Sequence, residues 1–434
     1  MYRSVADPAA RRRLEVSAVR DPRSRSSKSP ASDSVMTALF VFSGLPLAYT
    51  LTWRVSGIPV INGFILVSIV VVIIEYFFRR PRHQSLFALY IAGGCYMLLI
   101  SVLYANNQDF TWAFATRDVL AYMGLPVGIA WARLQARGNA ERLLSRWYWA
   151  ACVMITITSC GLYLGYIRAF KVTERLSDGA LFFSFTYITS LLPLMWVGAR
   201  SGRWWQPILV SVGVVLCLWA AVLSAARSVV LIVSASLVCI LVMEIKRHKR
   251  SFMWIGLAGI IVIMTYISTT ESTQDLFIAR RLTNTNIVKE YRAQEIQNML
   301  SQMGTTEWVL GAGFGRRFYA PSILPGGEDH VLAPHIGFST LLYKGGVSCF
   351  VILLLVPCAI ISWRFVFGRR ADLDPFLAGV VLYVFGACIS GGWSFTALFL
   401  LGAFLGLSID VRRSARRAVA LIAINEVPRV QLQR

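Results

Sequence analysis

The sequence predicts an all-α polytopic membrane protein with about 12 transmembrane helices and one large outer loop between spans 9 and 10. Three observations carry this. Of 434 residues, 56% are hydrophobic and only 15% charged, with a mean hydropathy of +0.60, whereas a soluble domain carries roughly 25% charged residues. The apolar residues fall in runs of the length a bilayer-spanning helix needs, about 20 residues. Lys and Arg are concentrated in every second connection between those runs.

Taken in order, the apolar runs are Val35–Trp53, Ile58–Phe78, Leu86–Ala105, Val119–Trp131, Trp147–Ile167, Leu181–Ala199 and Pro207–Leu223. Five more follow: Ser228–Ile245, Phe252–Ser268, Val347–Phe367, Phe376–Ser390 and Ser394–Ile409. With the N-terminus inside, the cytoplasmic segments hold 30 of the 43 Lys and Arg residues and the outer ones 13. The positive-inside rule then sets both termini in the cytoplasm. Most of the formal +21 charge is thereby topological, and no nucleic-acid partner is needed to explain it.

The organisation that follows is a basic, disordered cytoplasmic tail over 1–34, nine spans over 35–268, an outer loop over 269–346, three spans over 347–409 and a second cytoplasmic tail over 410–434. The first tail is too long and polar for a cleavable signal, and spans continue beyond the first. All eight cysteines lie within predicted spans without a CxxC pair, and read as small buried hydrophobes. Loops beyond about 15 residues are usually functional or disordered, and 269–346 is too well patterned for disorder.

Within that loop, Ile287–Met303 has helical periodicity, with Val288, Ile296, Met299 and Met303 on one side. Arg292 projects from the same stripe, where a buried guanidinium needs a partner. It either pairs with Glu295 or holds an anion. Arg227, in the hairpin Leu223-Ser-Ala-Ala-Arg-Ser228, is the one charge between Arg203 and Glu244. It either snorkels to the headgroups or turns inward to bind an anion.

His83 and His248 read as cytoplasmic surface residues, whereas His330 and His335 lie in the outer loop. Pro334 suits a helix start, where the dipole would keep the His335 imidazole neutral, as a general base requires. The set Glu328, Asp329, His330 and His335 matches no strong metal-ligand spacing, so no metal is expected. Gly311-Ala-Gly-Phe-Gly315 lacks the strand–helix setting of a nucleotide loop and reads as a compact turn that lets backbone approach a ligand or a neighbouring helix. Asp372-Leu-Asp374 sits in a connection too short for a nucleotide-binding domain.

Taken in order, Leu-Ser-Ala-Ala-Arg227-Ser, Tyr-Arg292, Trp308-Val-Leu-Gly-Ala-Gly-Phe-Gly and His335-Ile-Gly-Phe-Ser-Thr-Leu-Leu-Tyr-Lys-Gly-Gly346 resemble the O-antigen ligase / O-antigen polymerase superfamily. The topology covers nearly the whole chain and the motifs about a quarter of it. Members often carry Asn after the histidine, where this chain has Ile336. The resemblance implies a metal-independent, inverting glycosyltransferase of the bacterial inner membrane that needs no cofactor. Its donor would be a polyprenyl-diphosphate-linked glycan on the periplasmic face. Its acceptor would be a second glycan in a polymerase or the lipid A core in a ligase. His335 matches the family's catalytic base, and Arg227 and Arg292 match its diphosphate-binding arginines. The chemistry is coherent, because two bidentate guanidinium groups can stabilise a departing diphosphate without a metal. A transporter or flippase for an anionic lipid-linked solute is the rival reading, weakened by the absence of a charge near the middle of any predicted span. A non-catalytic assembly subunit is a third.

Overall fold

The computed structural model describes residues 54–55, 58–79, 85–106, 109–135, 192–193, 196, 227–246, 291–319, 330–331, 337–368, 374–389, 393, 395 and 397–408. These are mostly helical. A two-residue pairing, β1 (Arg54–Val55) with β2 (Ile58–Pro59), leads into α1 (Val60–Arg79), α2 (Ser85–Leu103) and α3 (Trp112–Gln135). Then come α4 (Arg227–Lys246), α5 (Tyr291–Ser301), the short α6 (Thr305–Leu310) and the antiparallel pair β3 (Phe318–Tyr319) and β4 (His330–Val331). The chain continues through α7 (Gly337–Phe350), a π-helical stretch (Val351–Leu355), α8 (Val356–Phe367), α9 (Asp374–Ile389) and a last apolar helix, α10 (Ala397–Ser408).

Two of these helices are long and apolar enough to cross a membrane: Ser85–Leu103, and the run Gly337–Phe367. The 19 residues of α2 rise about 28 Å, close to the hydrocarbon thickness of a bilayer. Only 33% of its most apolar stretch is buried inside the molecule, although the stretch is uniformly hydrophobic. Leu99, Val102 and Leu103 on α2, and Trp363 and Phe367 on α8, point outward. Continuous outward apolar faces of this kind suit a lipid environment and not water.

Five of the expected spans appear as helices within a few residues of their sequence limits: α1, α2, α4, α9 and α10. Two differ. The fourth expected span, Val119–Trp131, lies inside a longer helix that begins at Trp112 and takes in Arg117 and Asp118. The tenth, Val347–Phe367, starts at the break that Gly346 makes in the run Gly337–Phe367, and a further helical stretch holding Lys344 precedes that break. The remaining five, at 35–53, 147–167, 181–199, 207–223 and 252–268, lie wholly or almost wholly outside the described residues. Among the cysteines, Cys239, Cys349 and Cys358 are buried as expected, whereas Cys95 is exposed on α2.

The bundle is held by close backbone approach and by tyrosine hydroxyls. Gly124-Leu-Pro-Val-Gly128 on α3 faces Gly402-Ala-Phe-Leu-Gly406 on α10. A Cβ at Gly128 would lie 2.2 Å from the Phe399 carbonyl, and one at Gly402 would lie 2.1 Å from that of Leu125. This is small-xxx-small packing from both helices, which lets two backbones touch where apolar side chains have no water to escape from. Across the bundle, the Tyr122 hydroxyl donates to the Tyr90 carbonyl (2.7 Å) and the Tyr90 hydroxyl to the Leu353 carbonyl (2.7 Å). Leu353 belongs to the π-helical stretch, where the widened turn disturbs the usual carbonyl pairing. The connection ties α3 through α2 to the middle of the α7–α8 run.

Candidate functional site

The glycine-rich segment Gly311–Gly315 lies on α7. Gly311, Gly313 and Gly315 have φ of 87°, 75° and 83°, a region in which side-chain-bearing residues are strained. Their alternation curls the chain so that its amides point at neighbours. Ala312 donates to the Tyr343 carbonyl (2.7 Å) and Gly313 to the Lys344 carbonyl (3.0 Å). Those two carbonyls lose their own helical donors because Gly346 breaks α7 with φ 69° and ψ −179°. Phe314 donates to Ser101 Oγ (2.6 Å) on α2, and Gly315 to Asp118 Oδ2 (2.8 Å) on α3. The loop therefore joins three helices through its backbone. Its role as a compact turn against a neighbouring helix was legible in its glycines; which helix was not.

Beneath the loop lies an ion pair that the sequence reading did not anticipate. Lys344 Nζ and Asp118 Oδ2 are 2.8 Å apart, and both side chains are 0% exposed. Lys344 also donates to the Arg316 carbonyl (2.5 Å). One ammonium thus connects α7, α3 and the segment after the glycines. A buried charge is retained only when paired and hydrogen-bonded, and both conditions hold here.

Two arginines follow the glycines. Arg316 pairs with Glu307 of α6, and its guanidinium lies 5.3 Å from the centre of the Tyr104 ring. Burial is the largest influence on Arg316 and opposes its charge, but the hydrogen bond it donates to Glu307, together with the surrounding Glu307, Tyr343 and Tyr104, holds the group above its ordinary pKa. Glu307 also accepts from the Gly304 amide (3.1 Å), closing the first turn of α6. Arg317 is placed by its backbone: its amide donates to the Asp109 carbonyl (3.1 Å), and its carbonyl accepts from the Tyr343 hydroxyl (3.0 Å). Its guanidinium stacks 5.1 Å from the Phe114 ring.

The amphipathic helix expected over Ile287–Met303 is realised as α5, from Tyr291 to Ser301. Its apolar side is confirmed at Met299 and Met303, which are buried with Phe318 and Tyr343 in a second, smaller core. Through this core α5 packs on both β3 and α7. Gln302 then grips Tyr319, accepting from its amide (2.7 Å) and donating to its carbonyl (2.5 Å). Tyr319 is in turn paired in register with His330.

Of the expected site residues, Arg292 is the second residue of α5 and Arg227 the first of α4, and their side chains lie outside the described residues. His335, Ile336, Glu328 and Asp329 also lie outside them; described helix α7 starts two residues after His335. At the level of elements, α5 and α7 are in contact, so the segments carrying Arg292 and following His335 belong to one unit. Helix α4 packs instead on α9. Asp374 of the Asp-Leu-Asp sequence is a buried first-turn residue of α9 paired with Lys246 (3.2 Å), which gives it a structural role. No protein-family model matches this chain, and a search of curated proteins finds no match at the significance required.

Proposed function

We propose that the chain is a polytopic inner-membrane glycosyltransferase that polymerises surface-polysaccharide repeat units from a polyprenyl-diphosphate-linked donor on the periplasmic face. In this reading Arg227 and Arg292 stabilise the departing diphosphate and His335 takes the proton from the attacking sugar hydroxyl, without metal or cofactor. The acceptor is a second lipid-linked glycan, and the alternative acceptor is the lipid A core. The observation that carries the proposal is the closure of Gly311–Gly315 onto Tyr343 and Lys344. Two of the four sequence blocks that prompted the family resemblance are thereby a single packed unit, with the helix of the Arg292 block against it. Two helices of membrane-spanning length and apolarity support the location. The transporter reading gains little from the buried Asp118–Lys344 pair, because that pair is closed by direct contact and fixed by loop backbone.

The reaction class is tested with the purified full chain and a polyprenyl-diphosphate glycan in excess chelator. Continued transfer supports the mechanism. Loss of turnover that Mg²⁺ or Mn²⁺ restores would overturn it.

A further inference from the structure

The arginines of the glycine-rich segment are not equivalent. Arg316 is neutralised by Glu307, but Arg317 has neither a carboxylate nor a hydrogen-bond acceptor for its guanidinium among the described residues, and its Nε is buried without a partner. Its position is nonetheless fixed at three points: amide, carbonyl and the face of Phe114. One helical turn beyond Phe114 on α3 comes Arg117, exposed and also without a partner among the described residues. Residues three apart on a helix are surface neighbours, so Arg117 shares a face of α3 with the ring on which the Arg317 guanidinium lies. Among the described residues, the nearby carboxylates Glu307 and Asp118 are taken by Arg316 and Lys344, and Asp109, whose carbonyl accepts from the Arg317 amide, has an interaction of its own.

The surroundings define the anion. Leu103, 69% exposed, ends the apolar face of α2, and Tyr104 follows it; Trp112 at the start of α3 is 58% exposed and Tyr319 is 45% exposed. An apolar helix end ringed by aromatic residues marks the membrane–water boundary. The anion native to that depth is a phosphate on a lipid. Arginine holds phosphate with two parallel N–H donors, and a guanidinium already stacked and backbone-fixed loses little freedom in doing so.

We infer that Arg317 and Arg117 form a binding site for the phosphate of a lipid at the membrane boundary, distinct from Arg227 and Arg292. The phosphate belongs either to a prenyl diphosphate or to an anionic lipid of the bilayer, and both present the same chemistry. The site rests on observed pairing and stands whether or not the chain is a glycosyltransferase.

The test uses the full chain in phosphatidylcholine nanodiscs with two probes. In the first arm farnesyl diphosphate is titrated; in the second, phosphatidylglycerol replaces part of the phosphatidylcholine and the thermal midpoint is read. Arg317→Gln is expected to weaken farnesyl diphosphate binding at least 10-fold if the site takes a diphosphate, since a charge-assisted contact is lost. If it takes a bilayer lipid, the same variant abolishes the stabilisation by phosphatidylglycerol and leaves farnesyl diphosphate binding unchanged. Should Arg317→Gln fail to fold in phosphatidylcholine, Arg317→Lys keeps the charge and loses the fork, and Arg117→Gln leaves the Phe114 stack intact; each is expected to give a smaller loss in the same arm. Wild-type behaviour of the folded variants in both arms would overturn the inference. A wild type that ignores farnesyl diphosphate yet responds to phosphatidylglycerol through Arg317 would count against the donor reading and leave the site standing.

Discussion

Removing the Lys344 ammonium should be among the most damaging single changes in the described structure. Lys344→Met fills nearly the same volume but leaves the Asp118 carboxylate buried, with the Gly315 amide as donor to Oδ2 and none to Oδ1. Breaking a buried pair from one side costs about 3–5 kcal/mol, because the remaining charge stays desolvated. The Arg316 carbonyl loses its donor as well. Asp118→Asn combined with Lys344→Met should be far milder, at about 1–2 kcal/mol, since a neutral amide still accepts from Gly315 and no charge is stranded. The double variant is thus expected to be more stable than Lys344→Met alone. The assay is denaturation of the full chain in mixed detergent micelles, run as a double-mutant cycle. Wild-type stability of Lys344→Met, or additive losses in the double variant, would refute the idea that this pair closes the loop onto the helices.

Two further outcomes follow from the geometry and from the proposed site. Gly402→Leu should force α10 away from the Leu125 carbonyl and lower the unfolding midpoint in the same micelle assay, at a cost of at least 1–3 kcal/mol, while an exposed change such as Val366→Leu should not. Arg227→Lys and Arg292→Lys should each slow glycan transfer about 100-fold at matched expression, because ammonium cannot reproduce the bidentate fork.

What the sequence made legible follows from what apolar counting measures. Helices α1, α2, α4, α9 and α10 were found because their hydrophobic runs end where the helices end. Helix α3 was cut short because Arg117 and Asp118 interrupt the apolar window, and the part of α7 before the Gly346 break was assigned to the loop, where Lys344 and the glycines hide it. Asp118 and Lys344 are tolerated inside because each is the other's partner, a fact that no single window contains. The facing Gly-xxx-Gly sequences of α3 and α10 were likewise missed, since glycine lowers hydropathy while permitting the closest packing in the bundle. The amphipathic α5 was visible from its methionines, but the β3–β4 pairing and the clasp of Gln302 on Tyr319 leave no periodic trace. In the candidate site, the glycine spacing announced a turn. Arg317 was overlooked because an unpaired arginine beside a paired one is indistinguishable from it in sequence.

The most direct measurement of the central claim is glycan analysis of the native host after deletion of this chain, with complementation by wild type, His335→Ala and His330→Ala at equal membrane levels. The account predicts loss of long polymer with single-repeat glycan retained. Wild type and His330→Ala should restore the polymer, whereas His335→Ala should leave it reduced by roughly 10² to 10⁴ in rate, as expected for loss of a general base. Accumulation of lipid-linked polymer would instead identify a ligase. Unaltered glycans in the deletion strain, or full restoration by folded His335→Ala, would contradict the account.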